Sequence, residues 1–152
     1  MIPAALMLAF PCAAVAQRDY ESGFSIVISE VRLLTVETES AFIAPDAGEV
    51  LSGWTGEQTL GVTVSANTEW VLWIRGTEPA WDGPWSKPIG DIHWSCGESE
   101  YVPLDTMPAE VCAGGMSDHE PYQINFKIAL DPLKDVPGDY YYTYIVIELT
   151  SP

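Results

Sequence analysis

Apolar residues recur along this chain in short alternating runs, separated by Gly, Pro, Asn and Asp. No window longer than a turn or two carries the helical period with good helix formers, so strands are the predicted element. Residues 24–36 (FSIVISEVRLLTV) read as one long strand or two joined ones. Residues 59–66 (TLGVTVSA) alternate cleanly, with Leu60, Val62, Val64 and Ala66 on one face. Ala66-Asn67-Thr68 is a turn, and residues 69–75 (EWVLWIR) return with Trp70, Leu72 and Ile74 facing in, which predicts a hairpin. A short strand is expected through Ile92 and Trp94, and residues 97–121 look irregular. Residues 122–130 (YQINFKIAL) place Tyr122, Ile124, Phe126, Ile128 and Leu130 on one face and Gln123, Asn125 and Lys127 on the other.

The last strand departs from this pattern. Tyr140, Tyr142, Tyr144 and Val146 share one face, and Tyr141, Ile145, Ile147 and Leu149 share the other. A half-solvated strand is apolar on one side only, so the second face of this one calls for a cover. About seven short strands without helices predict an all-β fold, an antiparallel immunoglobulin-like β-sandwich. The 152 residues suffice for one domain with its own core.

The first segment, MIPAALMLAFPCAAVAQ, is uncharged and too short to span a bilayer. Ala14-Val15-Ala16 before Gln17 is a small-x-small cleavage signal, so residues 1–16 read as a secretory signal peptide, although a basic n-region is missing. A lipidated Cys12 is the weaker alternative, because Phe10 and Pro11 suit such a site poorly. Residues 17–23 form a polar extension, and 24–152 a single sandwich domain. The expected location is secreted, extracellular or at a bacterial cell surface.

Of three cysteines, Cys12 leaves with the signal, and Cys96 and Cys112 remain. An oxidising compartment makes them a disulfide pair. Zinc is disfavoured because neither C-x-x-C nor H-x3-H spacing occurs. The formal charge of −16 disfavours nucleic acid and anionic lipid, and no later stretch is apolar enough to insert into a membrane. His93 and His119 are the only histidines, and neither a G-x-S-x-G elbow nor H-E-x-x-H is present, so neither catalysis nor a cofactor is expected. Asp118-His119-Glu120 is able to bind a divalent cation but is explained more simply as a polar loop. The loop acids Asp46, Glu49, Glu98, Glu100 and Asp105 lack the calcium-ligand spacing, which favours solvated acidic loops.

Six tryptophans supply a further clue. Trp70, Trp73 and Trp94 lie in predicted strands, where core packing accounts for them. Trp54, Trp81 and Trp85 lie beside Gly and Pro. There Trp81 and Trp85 plug the open end of the sandwich, stack on the sugar rings of an extracellular glycan, or form a subunit contact.

Asp135, Pro137, Gly138 and Tyr140, followed by the alternating strand from Tyr142 to Leu149, resemble the closing strand of secreted bacterial β-sandwich proteins of the pilin and spore-coat-protein-U-like kind. VTVSANTEWVLWIRG is similar to their strand, Asn turn, Trp, strand pattern. Lys87-Pro88-Ile89-Gly90-Asp91-Ile92-His93-Trp94 is similar to a segment of secreted bacterial proteins of this shape. The resemblance implies an extracellular, non-enzymatic subunit that self-associates into oligomers or fibres by donating an N-terminal strand to its neighbour. The candidate assembly strand is Phe24, Ile26 and Ile28, after which the apolar positions change parity to Val31 and Leu33. Such a switch marks a bulge or a passage between sheets or molecules. The rival reading is a carbohydrate-binding or adhesive module that uses the loop tryptophans.

Overall fold

A computed structural model describes residues 26–37, 41–135 and 140–152. The expected signal peptide, the polar extension, Phe24 and the Pro137-Gly138 turn lie outside the described residues. In chain order the elements are β1 (Arg32–Val36), a short helix α1 (Ala47–Ser52), β2 (Gln58–Ala66), β3 (Trp70–Gly76), β4 (Ile92–Cys96), β5 (Val102–Pro103), β6 (Ala109–Gly114), β7 (Ser117–Ile128) and β8 (Ile145–Thr150). A single 3-10 turn, Ile89–Asp91, leads into β4. The strands form two antiparallel sheets, ordered β1-β2-β7-β4-β5 and β6-β3-β8.

The core fills the space between the sheets, and its centre comes from the cleanest alternations in the sequence. Val62 and Val64 of β2, Trp70, Leu72 and Ile74 of β3, and Ile124 of β7 are sealed from solvent. Leu60, Tyr122, Phe126 and Leu130 pack against them, as their parity predicts. Trp94 is also buried, whereas Trp73 has the opposite parity to Trp70 and Leu72. It is half-buried beside a bulge in the β3–β6 pairing and donates its indole N–H to Thr150 Oγ1 at 3.0 Å. The β2–β7 ladder carries an extra residue on β7 where His119 adopts φ 52, a bulge held by the His119 amide on Ser65 Oγ.

Three expectations need correction. β2 and β3 are not a hairpin: β2 pairs with β1 and β7, and β3 with β6 and β8, so the chain crosses between sheets at Asn67. Both arrangements point the apolar faces at one core, so alternation cannot tell them apart. Asn67 instead fastens the approach to β1, accepting from the Val31 amide at 2.7 Å and donating its side-chain amide to Ser29 O at 2.9 Å. The stretch 97–121 is not irregular, since it holds β5, β6 and the start of β7. The small and polar residues of β6, Ala-Glu-Val-Cys-Ala-Gly, carry little strand propensity, and pairing with β3 overrides it. The long strand expected over 24–36 is limited to Arg32–Val36 among the described residues, and its inward residues are Leu34 and Val36, not Val31 and Leu33.

The acidic stretch before β2 forms a helix because its ends are well capped. Asp46 accepts from the Glu49 amide, Glu49 returns the contact to the Asp46 amide, and Gly53 at φ 80 closes the turn. Thr55 then pairs with Ile128 through both backbone and side chain, tying this connection to the end of β7.

Candidate functional site

The connection that precedes β4 and the loop that follows β7 meet around Lys87. This lysine is only 2 % exposed. Its ammonium contacts Asp135 Oδ2 at 2.7 Å and Asp91 Oδ2 at 3.1 Å, and donates to Ala129 O at 2.8 Å. Asp135 also accepts from the Trp85 indole N–H at 3.2 Å and from the Asp131 amide at 2.8 Å. A buried charge is tolerated only when paired and hydrogen-bonded, and here the ammonium donates to Asp135 and Ala129 and is paired with a second carboxylate, Asp91. Reasoning from sequence did not single out Lys87, Asp91 and Asp135 as a charged cluster. A signal was available in one of only six basic residues standing inside an apolar, Pro-rich loop, four positions before an Asp.

The two loop tryptophans assigned to ligand stacking have different environments. Trp81 packs against the core, its amide bonded to Lys87 O. Trp85, also half-buried, is edge-on to Tyr141 with ring centroids 6.4 Å apart. The ammonium groups of Lys134 and Lys87 lie 5.0 and 5.5 Å from its ring centre. Beside it is a concavity of about 210 Å³ lined by Trp85, Pro88, Asp91, Leu130, Asp131 and Lys134. Trp54 is edge-on to His93 at 4.9 Å and close to Lys127, which also lies 4.1 Å from the Tyr101 ring centre.

A second region is the free edge of the smaller sheet. Among the described residues no strand pairs with the outer side of β8. Ile145, Ile147 and Leu149 turn inward but stay half-buried, as do Leu34 and Val36 of β1, whereas the inward residues of β3 are sealed. Tyr140, Tyr142 and Tyr144, expected in the last strand, instead precede β8, which begins at Ile145, and they are 76, 56 and 69 % exposed. Tyr142 is anchored through paired backbone bonds to Asp82 and its hydroxyl donates to the same residue. Of the candidate assembly strand, Ile26 and Ile28 are 84 and 82 % exposed, with Val27 between them, and lie in no strand. Val31 and Leu33 are exposed at the start of β1, and Leu33 pairs with Ser65.

The expected Cys96–Cys112 disulfide is not formed in the structure, where both are free thiols. They come from opposite sheets, on β4 and β6, and their side chains hydrogen-bond to one another. Burial pushes the Cys112 thiol up to about 12, with Cys96, Glu120 and Glu110 adding to it. Burial raises Cys96 too, against the contact with Cys112. Thiols so shifted are poor nucleophiles near neutrality.

His93 is held below the ordinary imidazole range by burial and by the Lys127 charge, partly opposed by Asp91. His119 pairs with Asp118 on the surface. Three of the loop acids have local duties: Asp46 and Glu49 cap α1, and Asp105 accepts from the Thr106 amide and hydroxyl. Among the described residues no group of three or more His, Cys, Asp or Glu side chains converges as a metal site, and no helix is long and apolar enough to cross a membrane. No family model matches the chain, and no curated protein matches it.

Proposed function

We propose that this protein is a secreted, non-enzymatic assembly subunit with an immunoglobulin-like sandwich that accepts a strand from a neighbouring copy. The order β1-β2-β7-β4 reads as A-B-E-D of that fold, and β3-β8 reads as C-F. The observation that carries the reading is the outer edge of β8, which no strand among the described residues pairs, the place where that fold sets strand G beside F. The half-buried Leu34, Val36, Ile145, Ile147 and Leu149 would gain cover from a strand laid there. Long apolar edges are a liability that natural proteins pair or block, and β8 carries neither a proline nor a lysine to block it.

The donor is the segment around Ile26 and Ile28 of another copy. Its consecutive apolar side chains project into solvent immediately before Asn67 fastens the chain at Ser29 and Val31. Alternation puts Ile26 and Ile28 on one side, which suits insertion between two sheets. In the oxidising setting of such a subunit, Cys96 and Cys112 would close as a bond between the sheets.

The test is assembly of the mature chain, followed by light scattering and negative-stain imaging. Ladders or rods that survive unboiled detergent are expected, and Ile26→Asp with Ile28→Asp is expected to yield folded monomers. A synthetic peptide spanning residues 24–31, added to those monomers, should raise their unfolding temperature. A monomeric native chain whose stability ignores the peptide would overturn strand acceptance.

A further inference from the structure

We infer that the concavity beside Trp85 is a binding site for one neutral sugar ring, independent of the strand-accepting edge. The site has a fixed half and a movable half. On the fixed side, the Trp85 indole is oriented by its bond to Asp135, which is itself held by the buried Lys87 and by the Asp131 amide. Such a support sets an aromatic plane without reliance on solvent-exposed contacts.

The movable side is Lys134. Its side chain is 59 % exposed, and it is held by a 3.5 Å contact with Asp131 and by its position 5.0 Å from the Trp85 ring centre. Exposed ion pairs and exposed cation–π contacts are both weak, so a ligand that offers equivalent contacts can displace the ammonium. A pyranose does so. Its axial C–H groups present an apolar face to the indole, and its hydroxyls can donate to Asp91 and Asp131 and accept from Lys134. The Asp91 carboxylate meets Lys87 through Oδ2 alone, and its side chain is 30 % exposed, so lone pairs remain for a hydroxyl.

Size and charge narrow the class. A volume of about 210 Å³ lies below the ~300–1,000 Å³ of sites that enclose drug-sized ligands, so it takes a single ring or a chain end. Asp91, Asp131 and Asp135 face Lys87 and Lys134 within a chain of net charge −16, which selects against uronates and phosphorylated sugars.

The test uses the intact protein with the methyl glycosides of glucose, galactose and mannose, and with methyl glucuronide as the anionic comparator. Binding is read by saturation-transfer NMR and by tryptophan fluorescence. At least one neutral glycoside is expected to bind saturably in the millimolar range, with ring C–H protons receiving most transfer. Trp85→Ala should weaken it by about tenfold or more, Asp131→Asn by several-fold, and Trp54→Ala not at all. If Trp85→Ala does not fold, contacts between glycoside protons and the assigned Trp85 indole in the native protein decide the matter. No saturable binding, binding indifferent to Trp85, or a preference for the glucuronide would each overturn the site.

Discussion

Lys87 Nζ lies 2.7 Å from Asp135 Oδ2, with both side chains almost closed to solvent. The pair joins the loop before the 3-10 turn to the loop after β7, and Asp135 also accepts from the Trp85 indole and the Asp131 amide. Lys87→Met strands two carboxylates near an apolar side chain. It should lower stability by about 3–5 kcal/mol, the usual cost of breaking a buried pair from one side. Urea unfolding measures the loss, and a red-shifted tryptophan emission would accompany it as Trp85 is released. A change within experimental error would show that water replaces the ammonium at no cost.

Oxidation of Cys96 with Cys112 would tie the two sheets together. On the chain-entropy account, closing a loop of roughly 15 residues stabilises by about 3 kcal/mol. Intact mass with and without reductant reports the bond, and paired unfolding curves report its effect. The reduced protein carries a pH signature of its own. Folded Cys112 titrates at about 12 against an ordinary value of 9.0, so as pH rises past 9 the unfolded chain loses its proton first. Stability of the reduced form should therefore fall above pH 9, while the oxidised form should lack this component.

His93 works in the opposite direction along the pH axis. Its folded pKa lies below the ordinary 6.5, so as pH falls through 6.5 the unfolded chain takes up the proton first. Stability should drop as the solution is acidified from 6.5 towards the folded value, with no further loss from this residue below it. His93→Gln should remove that component from a pH series of unfolding midpoints. An unchanged profile would mean that the imidazole is solvated and feels neither its burial nor Lys127.

Gly114, at the end of β6, lies against the ring of the fully buried Trp70. A Cβ there would stand 2.6 Å from Trp70 Cζ2, inside any tolerable contact. The indole is sealed from solvent and has no room to step away, so Gly114→Ala should destabilise by about 1–3 kcal/mol as an overpacked site. Thermal unfolding beside Gly115→Ala makes the comparison, since Gly115 has open space around its Cβ position.

The strands with sustained alternation are legible in the amino-acid order itself: Val62, Val64, Leu72, Ile74 and Ile124 are where a period of two places them. β6 is not legible in this way, because Ala109, Cys112 and Gly114 gain strand character only by lying against β3. The loop cluster is half legible. Trp81 and Trp85 draw attention as aromatic residues beside glycine and proline, but their different roles depend on Lys87 and Asp135, 48 residues apart. Charge pairing at that separation leaves no local pattern.

By itself, the sequence determined the strand class and the inward face of each well-alternating strand, because side-chain parity is a local property of an extended chain. The tyrosines expected on a second face of the last strand lie before β8, which begins at Ile145. Only the tertiary structure decided which strands pair. It turned an expected hairpin into a crossing between sheets at Asn67, set Cys96 opposite Cys112, and left the outer edge of β8 without a partner among the described residues. Strand pairing and ion pairing join residues far apart in the chain. Their outcome depends on the joint packing of both sheets, which no single segment encodes.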